Sequence, residues 1–242
     1  MYGLLYKDFI VNKKNMLILL GAAVFVNVFQ FAAVDGQKMG GTMSLLMNIM
    51  AVVASFFVMG TMQGLIYEQD ERKKWSYYIT STEAGSAAQV GEKYILVLII
   101  SMAALVLNVL LNCIAIDLAN NEYQIAPVCM ALFFIQVLLR AVEIPFVMAF
   151  GSKKGNLVRG AIMLAALIVA LVYLLFGDLK AIGLGSSDDL WDKLIKLIKS
   201  PSSNSNVLLA LGAAGVCVLP LYYLSYRISC RVYKRGADAY EK

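Results

Sequence analysis

Apolar runs of about 20 residues recur along the chain, separated by shorter polar segments. That is the length an α-helix needs to cross ~30 Å of hydrocarbon at about 1.5 Å per residue. The pattern predicts six spans, at about 16–34, 43–66, 95–116, 125–150, 160–176 and 207–226. The expected fold class is an all-α integral membrane protein, with residues 1–242 forming a single transmembrane domain. Two further helices are predicted outside the spans. In residues 1–15, Leu5, Phe9 and Ile10 share a face while the lysines turn to water, as in a helix lying on a membrane surface. An ordinary basic juxtamembrane tail has the same composition. In residues 187–199, SDDLWDKLIKLIK, the apolar positions gather on one side, Asp188 and Asp189 occupy the first turn, and Pro201 follows the last lysine. This outer amphipathic helix is expected to lie flat, with Trp191 at headgroup depth.

Composition agrees with the spans. The chain is 60% hydrophobic and 15% charged, with mean hydropathy +0.73. A soluble domain carries roughly a quarter charged residues, so the polar surface for one is missing. Lys7, Asp8, Lys13 and Lys14 interrupt the first stretch, and a cleavable signal sequence is not expected. With no histidine, His-based metal ligation, Ser-His-Asp triads and HExxH proteases are excluded. Cys113, Cys129, Cys217 and Cys230 lack CxxC spacing and read as small apolar side chains in or beside spans. There is no P-loop and no paired-carboxylate site, so the chain is not expected to be an enzyme.

Charge sets the orientation. An even number of spans puts both termini on one side. With the termini inside, fifteen of the 21 Lys and Arg fall in inner segments, five in outer loops, and Arg140 within a span. The positive-inside rule then makes both termini and the loop 67–94 cytoplasmic. This loop is the longest polar run lying directly between two spans on the inner side. Its charges are ordered, Glu68, Asp70 and Glu71 before Arg72, Lys73 and Lys74, then Trp75. A solvated charge run has the same look. A second inner turn, Gly151-Ser152-Lys153-Lys154-Gly155, is short and basic.

Two spans carry special positions. Gly60 and Gly64 put two small residues on one face, a pattern used for close helix contact, though with which helix the spacing does not say. Arg140 and Glu143 stand three residues apart and can pair on one face, and Pro145 follows with a kink expected. Charges at that depth mark either a polar patch on a translocation path or a self-neutralising pair near the interface.

The order Asp70-Glu71-Arg72-Lys73-Lys74-Trp75, continuing to Glu92-Lys93-Tyr94, resembles the first cytoplasmic loop of ABC-2 type transporter permeases. Gly3-Leu4-Leu5-Tyr6-Lys7-Asp8-Phe9 is similar to their amino terminus, and Pro145 through Gly155 to the end of their fourth span. The short six-span form looks most like the membrane subunits of phenol-soluble-modulin exporters and lantibiotic immunity permeases. Where many relatives have a proline, this chain has Ser81-Thr82-Glu83-Ala84-Gly85, which leaves the end of the coupling helix open.

The resemblance implies a dimer of permeases in a bacterial plasma membrane, each resting on a cytoplasmic ATP-binding subunit that holds ATP and Mg. This chain would bind no cofactor of its own. Glu68, Asp70, Glu71, Arg72, Lys73, Lys74 and Trp75 would couple to the ATPase, with Lys153 and Lys154 as a second contact. Arg140, Glu143 and Pro145 would lie on the path of an amphipathic peptide. A membrane immunity or sensor protein that binds a peptide without moving it is the alternative reading.

Overall fold

A computed structural model describes residues 2–35, 41–68, 85–119, 125–151 and 205–238, with 154–155, 157–158, 160–165 and 168. Five long helices dominate: α1 (Tyr2–Asp35), α2 (Gly41–Glu68), α3 (Gly85–Ala119), α4 (Ala126–Phe150) and α5 (Ser205–Asp238). There is no strand among the described residues. The expected outer helix at 187–199 and most of the expected span 160–176 lie outside the described residues.

Helix ends depart from expectation. Residues 2–15 are helical, but they continue into the span as one 34-residue helix instead of forming a separate surface element. The face they bury is polar, with Asp8 and Asn12 inside and Phe9 and Ile10 exposed. Helix α3 likewise starts ten residues before the expected span, at Gly85, whose φ of 61° suits a residue without a Cβ. At 34 and 35 residues, α1 and α3 are about 50 Å long, well beyond a ~30 Å hydrocarbon layer.

Helix α3 joins two cores. Leu96, Ile100 and Ala104 pack with Met16 and Ala23 of α1, Val52, Phe56 and Met59 of α2, and Cys129 of α4. Val90, Tyr94 and Val97 pack with Tyr67, with Val137, Ala141, Ile144 and Val147 of α4, and with Val218 and Tyr222 of α5. The first turns of α1 and α3 and the last turns of α2, α4 and α5 therefore gather at one end of the bundle. Of the four cysteines only Cys129 is buried, while Cys113 and Cys217 are exposed.

The polar and apolar residues are distributed as lipid demands. Leu17, Ile18, Phe25, Phe57, Val216 and Leu219 point outward, while Asn27, Asn48, Ser55, Gln63, Ser101 and Asn108 are buried. In hydrocarbon each polar group needs a partner inside the protein. Asn27 Nδ2 donates to the Ala23 carbonyl at 2.8 Å, and Asn108 Nδ2 to that of Ala104 at 2.7 Å. Gln63 Nε2 reaches across to Ser101 Oγ at 2.9 Å, and the N–H of Ile125 donates to Asn112 Oδ1 at 3.2 Å where α4 begins.

Two glycines shape the basic turn after α4. Gly151, at φ 90°, donates its N–H to the Val147 carbonyl at 2.8 Å, and Gly155 donates to Gly151 at 3.0 Å. A Cβ on Gly155 would collide with Val147, whereas one on Gly64 would meet nothing within 4 Å. Gly155→Ala is expected to cost about 1–3 kcal/mol by overpacking, and Gly64→Ala to cost none of it. Thermal unfolding in detergent checks this, and equal melting temperatures for the two variants would contradict it.

Candidate functional site

Two buried polar clusters stand out, and both are built from helix ends or breaks. The first lies at the foot of α3, directly after the charged loop. Lys93 is 1% exposed, and its Nζ donates to Asp8 Oδ2 of α1 at 2.5 Å. Lys7 Nζ lies 3.1 Å from the other oxygen of the same carboxylate. Glu92 is fully buried and feels Lys93, Asp8 and Lys7 as its nearest charges. Two carboxyl groups and two ammonium groups thus gather at this junction, with Lys93 and Asp8 as its closest pair. The pairing matters, because a buried charge without a counter-charge is costly.

The other side of the same turn is held by hydroxyls. Tyr94 Oη lies 2.6 Å from Ser225 Oγ and 2.8 Å from Ser229 Oγ of α5. Tyr222 Oη donates to the Tyr94 carbonyl at 2.7 Å, and Tyr233 Oη to Gln89 Oε1 at 2.6 Å. The Tyr94 ring meets those of Tyr222 and Tyr226 edge-on, at 4.9 and 5.5 Å. Ser225 Oγ donates in turn to the carbonyl of Ala141 in α4. That carbonyl stands four residues before Pro145, whose ring nitrogen has no hydrogen to give it. Helix α4 runs on through Pro145 to Phe150, and α5 supplies the donor that the proline withdrew.

The second cluster lies higher in α4. Arg140 and Glu143 are almost wholly buried and paired, Nη1 to Oε2 at 2.6 Å. The pairing expected from their spacing is present, and the guanidinium also donates to the carbonyl of Gly60 in α2. Gly60 lies against α4, where a Cβ would stand at ordinary contact distance, 3.5 Å from Gln136 Nε2 and 3.9 Å from Arg140 Nη2. Among the described residues, Gly60 has α4 as its neighbour and a Cβ on Gly64 would meet nothing within 4 Å.

Other expected site residues are less fully placed. Glu68 is the last residue of α2. Asp70, Glu71, Arg72, Lys73, Lys74, Trp75 and Lys153 lie outside the described residues. Lys154 is exposed and sits 5.8 Å over the Phe150 ring. Asp8, Glu92, Lys93, Tyr94, Ser225 and Gln136 are additions. Of these, Glu92, Lys93 and Tyr94 stand at the end of the expected loop 67–94. Tyr222 is buried, while Tyr223 on the next position is 61% exposed.

Five described helices are long and apolar enough to cross a membrane, and polar groups turned inward complete the picture of a multi-pass membrane protein. The family model described as ABC-2 family transporter protein matches residues 3–234, nearly the whole chain, and the protein belongs to that family. No curated protein and no solved structure matches it. It is accordingly the transmembrane subunit of a transporter, a class whose membrane subunit is not itself catalytic.

Proposed function

We propose that this chain is the permease of an ATP-driven exporter of amphipathic peptides in a bacterial plasma membrane. Two permeases pair, and each rests on a separate ATP-binding subunit that holds ATP and Mg. The ATPase grips the loop through Glu68, Asp70, Glu71, Arg72, Lys73, Lys74 and Trp75, with Lys153 and Lys154 as a second contact. Interleaved charges give partner choice, and Trp75 gives anchoring area.

One observation carries the reading. The helix turn that follows the loop is tied to α1 through Lys93–Asp8 and to α5 and α4 through Tyr94, Ser225 and Ala141. A displacement of the loop then moves four helices together, which is what a transmission element requires. The start of α1 and the end of α5 lie at the end of the bundle where α2 finishes and α3 begins, which supports cytoplasmic termini together with the positive-inside count. Helix α4 ends there, and α5 begins at the opposite end. A crossing between Gly151 and Ser205 would join these ends, and this supports the fifth of the six expected spans, at 160–176.

Reversing the charges of Asp70, Glu71, Arg72 and Lys73 together tests the coupling. The expected result is continued ATP hydrolysis by the partner, export reduced at least tenfold, and an unchanged melting temperature. Wild-type export by the quadruple variant would end the assignment.

A further inference from the structure

Helix α5 presents two different faces toward its carboxyl-terminal end. Tyr222, Ser225 and Ser229 turn inward to Tyr94 of α3. The opposite face carries Val216, Leu219, Tyr223, Arg227, Arg231 and Lys234, spaced by three or four residues and so aligned at about 100° per residue. All six are exposed. The line is ordered along the helix, apolar first, then aromatic, then three cations.

Those cations lack a protein counter-charge. Lys93 and Arg140 each hold a carboxylate, whereas Arg227, Arg231 and Lys234 form no ion pair among the described residues. Like charges three or four residues apart on a helix repel one another. An anion seated between them removes that repulsion and accepts the N–H groups.

Tyr223 sets the depth of the line. Exposed tyrosines of membrane helices sit at headgroup level. At about 1.5 Å per residue, Arg227 lies about 6 Å beyond it and Arg231 about 12 Å beyond it. The headgroup layer is roughly 5–8 Å thick on each side of the hydrocarbon. Arg227 stands within it, and the long side chains of Arg231 and Lys234 reach back to it.

The apolar half of the line chooses the occupant. A phosphodiester takes paired hydrogen bonds from a guanidinium, and the acyl chain of the same molecule lies along Leu219 and Val216. A soluble phosphate or an acidic protein surface answers the cations and leaves the apolar half unused.

We infer that this face of α5 binds an anionic phospholipid of the cytoplasmic leaflet, its phosphate between Arg227 and Arg231 and its acyl chain along Leu219 and Val216. Lys234 faces the outer edge of the headgroup. A lipid held there fixes the depth of the α5 turn that Ser225 ties to Tyr94 and Ala141. The site goes beyond the export reading and needs neither cargo nor ATPase, so it can fail while that reading stands.

The test uses the full chain, stripped of lipid in dodecyl maltoside, and fluorescence anisotropy of phospholipids labelled on an acyl chain. Saturable binding of phosphatidylglycerol is expected, at least tenfold tighter than that of zwitterionic phosphatidylcholine. Arg227→Gln with Arg231→Gln should weaken it at least tenfold without lowering the melting temperature, since both side chains are exposed. Lys13→Gln with Lys14→Gln removes the same charge from exposed positions of α1 and should leave binding within twofold of the wild type. Excess glycerol 1-phosphate should not displace the lipid. Equal binding of the two lipids would overturn headgroup recognition, and displacement by glycerol phosphate would assign the cations to a soluble anion. Equal losses in the two double variants would reduce the effect to net charge. Undiminished binding by the α5 variant would overturn the lipid site and leave the stripe to a protein partner.

Discussion

Exchanging the two buried charges, Asp8→Lys with Lys93→Asp, is expected to rescue what either reversal alone destroys. Lys93 and Asp8 pair at 2.5 Å, and each is 1% exposed. Lys93→Asp alone sets a second carboxylate against Asp8, and Asp8→Lys alone sets a second ammonium group against Lys93. Breaking a buried pair costs about 3–5 kcal/mol, against a total stability of roughly 5–15 kcal/mol. Each single variant should therefore lose most of its folded protein in the membrane, with α1 detached from the foot of α3. The exchange restores the ion pair, though with altered geometry, so recovery should be substantial and incomplete. Abundance and thermal unfolding of the four proteins measure this. Single reversals as stable as the wild type would show that α1 is held to α3 by apolar packing alone. The experiment also bears on coupling. If the tie transmits movement, a rescued exchange variant should regain export along with stability.

The existence of the helices was legible because a bilayer imposes one length on every span, and the apolar runs kept to it. Their ends were not. The runs predicted starts at 16 and 95, and the helices begin at Tyr2 and Gly85. The reason is that Lys93 finds its counter-charge 85 residues upstream. No local period encodes such a pairing, so Lys93 looked like any cation of an inner loop. Arg140 and Glu143 were readable because three residues place them on one face. The Gly60 carbonyl that completes the guanidinium's partners was hidden, since it belongs to backbone. Pro145 announced a carbonyl left without its donor, at Ala141, but not that Ser225 of α5 would supply one. Sequence therefore displayed the local halves of these sites and withheld the halves that come from another helix. Gln136 shows the same limit from the other direction. A single amide in an apolar run is unremarkable until the described residues around it are seen to leave it unmet.

Replacing Arg140 and Glu143 together by methionine is expected to separate their stability from their use. Arg140→Met alone leaves the Glu143 carboxylate buried without its counter-charge, and Glu143→Met alone leaves the guanidinium with the Gly60 carbonyl. Each should destabilise by about 3–5 kcal/mol, whereas the double variant should be close to neutral or more stable, because two desolvated charges are replaced by apolar side chains of similar reach. Such a pair contributes little net stability, so the fold gives no reason to carry it. A role on the path does, since a guanidinium held between α2 and α4 can meet a polar group of passing cargo once those helices part, while Glu143 and Gly60 keep it compensated between transits. The double variant should consequently reach the membrane in wild-type amount, with export reduced tenfold or more and ATP hydrolysis by the partner retained. Export at the wild-type rate by a stable double variant would reduce the pair to a strut between α2 and α4. The path would then have to be sought among the other buried polar residues, beginning with Gln63 and Ser101, which already join α2 to α3.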